Sequence, residues 1–449
     1  MTRSARLAAS ALAVAGVAVA ARAFASPELD FGFGARSQAL AGAGTAIADD
    51  AAAVFENPSG LARAEHVTVT LGYANVSYGL ADDGSSASLP TVNALEGGLV
   101  VPGAILGVPV AFGLSLALPN GKLSELRQAD ASTSYWPLDD AGPRLVDVGT
   151  GFAARPLPEL VLGAGVGFVA SLRGTFGVHG EVVAADGQGA EYQSNLRHAV
   201  DADLTASRFP LVGVGWLPTP ELAFGLAYRG AATVEHRIDA MLDGNLVVGD
   251  SSLPVRYSFE SRSDVAYQPA QLSLGASLRP RPAWLVTAEL DWQHYAPFPS
   301  PYTETSSHVA LPPDAGLTVP DTVPVPAPAA HFRDRFVPRL GVEPRFALAP
   351  GIELRLRAGY AYERSPVPRL QTATRFLDLD RHVLAGGAGV EWATARGPFD
   401  ALRLDLSIAD ALGVARTAST TAGADADRGS GHVLLVGATL GLVFSDPTR

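Results

Sequence analysis

The sequence predicts an all-β protein: about fourteen antiparallel strands closed into a transmembrane β-barrel, with a short segment ahead of the first strand that is not strand. Three observations predict it. Apolar residues alternate with small or polar ones at a period of two over many segments, the pattern of a strand with two different faces. These segments follow one another to the end of the chain, joined alternately by tight Pro- or Gly-containing turns and by long loops. No shift to linker composition divides the 449 residues, and with 47% apolar and 17% charged residues the chain is neither disordered nor a helical membrane protein.

The N-terminus, MTRSARLAASALAVAGVAVAARAFAS, carries Arg3 and Arg6, an apolar stretch from Leu7 to Ala21, and then Ala23-Phe24-Ala25. That is the layout of a secretory signal peptide, residues 1–25. Beyond it no uncharged apolar run reaches the roughly 18 to 20 residues of a spanning helix. The next stretch, SPELDFGFGARSQALAGAGTAIADDAAAVFENPSGLARAEH, is rich in Ala and Gly, and clear alternation begins only at Val67, Val69, Leu71 and Tyr73. Residues 26–64 are therefore free to fold inside the barrel as a plug, and 65–449 form the barrel.

The strands show their two faces plainly. In ARPLPELVLGAGVGFVASL, Leu160, Leu162, Ala164, Val166 and Phe168 share one face, while Val161, Gly163, Gly165 and Gly167 share the other. RPRPAWLVTAELDW sets Trp284, Val286, Ala288, Leu290 and Trp292 against Leu285, Thr287, Glu289 and Asp291. LAPGIELRLRAGYAY sets Leu354, Leu356, Tyr360 and Tyr362 against Glu353, Arg355 and Arg357. Leu160 to Leu172 spans roughly 40 Å at about 3.3 Å per residue, and a tilt near 40° projects this to about 30 Å of height, a hydrocarbon core. Tyr228, Trp284, Trp292, Tyr360 and Tyr362 fall towards strand ends, where aromatic side chains suit the bilayer interfaces.

Tight turns fall near Gly103–Gly107, Arg155–Glu159, Leu217–Glu221, Arg279–Ala283, Leu348–Gly351 and Ala395–Phe399. Long loops fall near Ala81–Val92, Asn120–Gly142, Ala184–Gly189, Leu242–Ser252, Pro297–Phe332, Arg364–Asp380 and Gly413–Gly431. Alternation of the two gives about fourteen strands, short turns on one side and long loops on the other, with both termini periplasmic. The loop Pro297–Phe332 contains PPDAGLTVPDTVPVPAPAAH, whose prolines favour extended backbone without ladder bonds.

Several function classes lose support at once. A net charge of −12 argues against nucleic acid as a partner. With no cysteine, closure of the hydrogen-bond ladder and packing must hold the fold. The nine histidines show no metal-ligand spacing, no cofactor motif is present, and there is no G-x-S-x-G elbow. GAGVG at Gly163–Gly167 alternates along a strand and does not open a helix, so it is no phosphate loop. A passive porin and an outer-membrane hydrolase both remain open as functions of such a barrel.

The stretch GARSQALAGAGTAIADDAAAVFENPSGLA resembles the N-terminal signature of the FadL-type outer-membrane transporters of long-chain fatty acids and other hydrophobic molecules. The resemblance rests on Gly34 with Arg36, the Ala-Gly run through Gly44, Ala48-Asp49-Asp50, and Asn57-Pro58 followed by Gly60-Leu61-Ala62. Most members read Asn-Pro-Ala where this chain has Asn57-Pro58-Ser59. It implies a helical hatch plugging a fourteen-stranded barrel in the bacterial outer membrane. It further implies a monomer in contact with outer-membrane lipids, a long-chain fatty acid or hydrophobic small molecule as ligand, and lateral release at a kinked third strand. That strand is VPVAFGLSLAL, in which Gly113 marks either the kink or an ordinary strand glycine.

Candidate site residues follow. Asp49 and Asp50 are either helix caps and ion-pair partners or an acid/base pair, and Asn57, Pro58 and Ser59 form the hatch motif. Parity turns Arg345, Glu353, Arg355 and Arg357 to the lumen and sets Glu343 opposite Arg357. Either these charges pair along the wall or Arg345 or Arg355 is left to bind a carboxylate with its guanidinium fork. Phe31 and Phe33 are placed to touch an apolar ligand or to pack the plug, and Leu123, Leu126 and Trp136 supply a capture loop.

Overall fold

The computed structural model describes residues 31–87, 89–119, 134–139, 146–181, 195–248, 251–300, 304–310, 323–325, 328–371, 374–394, 399–420 and 427–444. Fourteen long strands form its wall: β1 (Val67–Asp82), β2 (Val92–Ile105), β3 (Val108–Pro119), β4 (Val146–Leu157), β5 (Leu160–Glu181), β6 (Asn195–Trp216) and β7 (Leu222–Arg229). They continue as β8 (Ala270–Arg281), β9 (Trp284–His294), β10 (Arg335–Ala349), β11 (Ile352–Glu363), β12 (Asp380–Ala393), β13 (Ala401–Thr420) and β14 (Asp427–Phe444). Each pairs antiparallel with its chain neighbours, and β14 returns to β1, from Val67 opposite Phe444 to Asp82 opposite Gly429. Closure gives each of the fourteen strands a hydrogen-bonded neighbour on both sides among the described residues.

The tight turns lie at one rim, and local chemistry sets them. Ile105 pairs with Val108 across Leu106-Gly107, whose φ values of 50° and 80° give the left-handed two-residue turn that matches strand twist. At the other rim the strands outrun their expected loops. Most of Gly413–Gly431 is ladder, since β13 runs to Thr420 and β14 starts at Asp427. Leu242–Ser252 belongs to a long hairpin, Ala232–Val248 with Ser251–Gln268. The Pro-rich loop also contains strand, because Glu304–Ala310 joins that hairpin and Val323–Val325 joins Glu304–Ala310 in a second four-stranded sheet. Ala184–Gly189 lies outside the described residues.

The wall is inside out relative to a soluble sandwich. Leu71, Phe112, Leu226, Leu290, Leu340 and Leu406 are exposed on its outer face, with Trp216, Trp284 and Trp392 towards the tight-turn rim and Tyr73, Tyr228 and Phe336 higher up. Inside sits the segment Phe31–Ala64, built from α1 (Gly34–Ala39), α2 (Ala52–Glu56) and a 3-10 turn, Pro58–Arg63. It bonds to opposite sides of the wall. The Ala35 N–H donates to Thr439 Oγ1 on β14 at 3.0 Å, the Thr45 N–H to the Glu289 carboxylate on β9 at 2.8 Å, and Asn57 Nδ2 to the Val214 carbonyl on β6 at 3.4 Å.

Lumen-facing glycines make room for this plug. A Cβ on Gly163 of β5 would lie 2.3 Å from the Pro58 carbonyl carbon and the Ser59 nitrogen, and one on Gly213 of β6 would lie 2.0 Å from Asn57 Oδ1. Gly113 of β3 has the same cause, for its Cβ would lie 2.5 Å from Leu61 and 2.7 Å from Val54. Pairing runs without a register shift on both sides of Gly113, to Val100 and to Gly151. Of the two readings of Gly113, the continuous ladder and the plug packed on it fit the ordinary strand glycine.

This packing predicts a contrast between two substitutions. Gly163→Val forces Pro58 and Ser59 off the wall at a cost of about 1–3 kcal/mol, which appears as faster hydrogen exchange across residues 57–63. Gly103→Val, where an added Cβ meets nothing within 4 Å, leaves that exchange unchanged. Equal protection in both variants would show that the glycine does not seat the plug.

Candidate functional site

The plug is anchored first by charge. From α1, Arg36 donates to Asp49 Oδ1 at 2.7 Å and to Glu343 Oε2 on β10 at 3.1 Å. Glu343 is fully buried and also accepts from Arg357 on β11 at 2.9 Å and from Arg345 at 2.9 Å. Arg357 in turn reaches Asp405 on β13 at 2.5 Å. Three guanidiniums round one buried carboxylate are tolerable because Arg36 and Arg357 each have a second carboxylate partner. The register sets Arg345 opposite Arg355, and Arg355 is held by Glu353 at 2.6 Å and Glu391 at 2.7 Å. Both arginines offered to a ligand carboxylate are thus occupied by carboxylates of the wall.

The second anchor is Asn57-Pro58-Ser59. Asn57 Oδ1 accepts from the Ser59 N–H at 3.1 Å and from its hydroxyl at 2.7 Å, capping the 3-10 turn, while Nδ2 donates to the Thr45 carbonyl at 2.8 Å. The serine that departs from Asn-Pro-Ala therefore supplies a hydrogen bond that a methyl cannot. Asp49 and Asp50 turn to separate tasks: Asp49 pairs with Arg36, and Asp50 Oδ1 accepts from the Ala52 N–H at 2.9 Å at the start of α2. They are an ion-pair partner and a cap, and the acid/base alternative falls.

Open space lies on both sides of the plug. One cavity sits between the plug and β6–β10, lined by Phe55, Leu211, Arg229, Glu289, Asp291 and Arg339 among others. Another lies nearer the tight-turn rim, where Phe33, Arg36, Asp50, Arg403 and Asp405 contribute. The rings of Phe33 and Phe55 lie 6.4 Å apart, one lining each cavity. Glu56 at the end of α2 accepts from the Ser37 hydroxyl. Burial pushes its carboxyl up to about 8, more than the hydrogen bond from Ser37 draws it down.

Above this, the loops build an aromatic cluster. Phe298 stacks on Phe332 at 4.2 Å, Phe332 meets Phe376 edge-on at 5.7 Å, and Tyr135, Tyr267 and Tyr295 pack round them. Trp136 is buried beside Leu377 and Leu379, and Phe31 is buried in the same apolar cluster. Arg381 pins this region by binding Asp139 at 2.5 Å and Asp378 at 3.2 Å. Leu123 and Leu126 lie outside the described residues. Sequence reading missed Glu56, Glu289 and Asp291 as lining residues. The last two carried a signal: charge on the inward parity of a strand whose other face is wholly apolar.

The raised Glu56 carboxyl makes the plug sensitive to pH. The folded protein holds the extra proton between the ordinary glutamate range and about 8, so plug stability falls as pH rises through that window. Exchange of the amides of residues 34–56, corrected for intrinsic rates, should rise between about pH 5 and pH 8 in the wild type, level off above that, and stay flat in Glu56→Gln. A wild type that is flat as well would remove Glu56 from the account.

Comparison with known proteins places this geometry. The family model described as outer membrane protein transport protein (OMPP1/FadL/TodX) matches residues 11–431. No curated protein sequence matches the chain. Among solved structures, a Pseudomonas aeruginosa FadL homologue is 17% identical over 92% of this chain and 97% of its own, with a TM-score of 0.53. The Ralstonia pickettii toluene transporter TbuX is 17% identical over 94% of this chain and all of its own, with a TM-score of 0.54. The P. putida toluene transporter TodX gives 17% over 93% of this chain and all of its own, again with a TM-score of 0.54. Identities this low show the shared fold, while the family match runs from the N-terminal segment through the plug to the last strand. The chain belongs to the OMPP1/FadL/TodX family of outer-membrane transport proteins.

Proposed function

We propose that the chain carries hydrophobic small molecules across the outer membrane by binding and diffusion, as a monomer, with the tight-turn rim and both termini in the periplasm. The observation that carries this reading is the plug bonded to opposite walls of the barrel with a cavity on either side. A wall closed round a plug makes passage depend on occupancy of discrete sites, which suits capture of scarce hydrophobic compounds. The aromatic cluster at the long-loop rim supplies an apolar receiving surface, with Trp136 beside it. Long-chain fatty acids and compact aromatic molecules both belong to this class. The solved toluene transporters of the same fold favour the compact ones. Of two ways out, sideways through the wall or axially past the plug, the unbroken pairing at Gly113 supports the axial one.

The first test is uptake of labelled oleate and labelled toluene by cells that lack their own transporters, with insertion of the expressed barrel verified. Uptake of at least one, lost when Asn57-Pro58 becomes Ala-Ala, is the expected result. A correctly inserted barrel that admits neither would sink hydrophobe transport. The porin reading is tested in planar bilayers: the wild type should show no sustained ion conductance. Arg36→Ala removes one guanidinium from a buried carboxylate, a break typically worth about 3–5 kcal/mol, and should produce transient openings. A large steady wild-type conductance would favour the porin.

A further inference from the structure

We infer that the cavity between the plug and β6–β10 takes a neutral hydrophobic molecule carrying a hydroxyl donor, received by the Glu289–Asp291 carboxyl pair. The inference rests on the hydrophobe transport proposed above and names the class of ligand. Its starting point is the strand period, which turns Glu289 and Asp291 inward two residues apart on β9. Glu289 Oε2 accepts from the Thr45 N–H of the plug at 2.8 Å, and Asp291 Oδ2 accepts from Arg339 Nε at 2.7 Å. Arg339 spends a further N–H on the Ala41 carbonyl at 2.7 Å. Asp291 has no solvent exposure, and its Oδ1 meets no donor among the described residues. An acceptor enclosed in this way is costly unless something donates to it. A proton shared by the two carboxyls satisfies one oxygen and leaves the pair still richer in acceptors than in protein donors.

The rest of the lining narrows the class. Phe55, Pro58, Leu211 and Ala227 give an apolar surface, and the Arg229 guanidinium lies 4.2 Å above the Phe55 ring. An anionic ligand meets the Glu289–Asp291 pair, while Arg229 donates to Gln271 Oε1 at 2.8 Å and Arg339 serves Asp291. A cationic ligand meets the guanidiniums of Arg229 and Arg339 in the same space. What remains is an uncharged apolar body with a hydrogen-bond donor, a phenol or a hydrophobic alcohol.

The test is calorimetric titration of the purified full-length barrel with three probes that differ at one ring position: para-cresol, para-xylene and para-toluate. Para-cresol should bind roughly tenfold to a hundredfold more tightly than para-xylene, the worth of a hydrogen bond to a charged acceptor, and para-toluate should not bind measurably. In Glu289→Gln the amide still accepts from Thr45 and its NH₂ group donates to Asp291, so para-cresol and para-xylene should bind alike. Wild-type para-xylene equal to or tighter than para-cresol, or tightest binding by para-toluate, overturns the inference whatever the variant does. If no probe binds while cells still take up oleate or toluene, the cavity is not the ligand site and hydrophobe transport stands. If uptake fails as well, both readings fall.

Discussion

Everything inside this barrel depends on the close approach of two backbones, that of the plug and that of the wall. The two plug helices span 6 and 5 residues, far too short to be stable alone, and their terminal N–H and C=O groups need partners from elsewhere. The wall supplies them through Thr439, Thr287, Glu289 and Arg339. Those side chains reach the plug backbone because the strands carry glycine where it passes. Residues such as Gly163 and Gly213, which would weaken an ordinary strand, are here the condition for the plug to fit.

The distribution of charge follows from the same geometry. Outside, the wall offers hydrocarbon to hydrocarbon; inside, it is wide enough that apolar side chains alone would not fill it. The space is filled by a plug whose own polar groups demand polar partners, and this explains why β9, β10 and β11 carry Asp, Glu and Arg on their inward faces. The network through Arg36, Glu343, Arg357 and Asp405 links one plug helix to three strands. Because each charge is desolvated, the network is sensitive to the loss of any single member.

Function emerges from what the plug leaves open. Cavities lie on its two sides, with the rings of Phe33 and Phe55 between them, and under the proposed function these are the stopping places of a molecule. The first of these places is lined by carboxyls as well as by apolar groups, so it selects by chemistry in addition to hydrophobicity. The aromatic cluster at the loop rim is built from Tyr295, Phe332 and Phe376, with Arg335 over the Tyr295 ring.

The period-two pattern, the alternation of tight turns with long loops and the inward parity of Glu343 and Arg357 were all legible in the sequence. They are local properties: a strand's faces are set by its own residue order, and a two-residue turn by its own dihedral angles. The non-strand segment and its Asn57-Pro58-Ser59 motif were legible for the same reason, as was the outward apolar face that meets lipid. What the tertiary structure alone decided was everything that pairs residues far apart in the chain. The occupancy of Arg345 and Arg355 by wall carboxylates, the reason for Gly113, and the meeting of Glu289 and Asp291 with Thr45 and Arg339 belong to this group. So does the strand Glu304–Ala310 within the Pro-rich loop, whose partner Arg256–Arg262 lies more than forty residues earlier in the chain. A side chain's direction follows from the chain beside it, but the partner it finds depends on how the barrel closes and where the plug comes to rest.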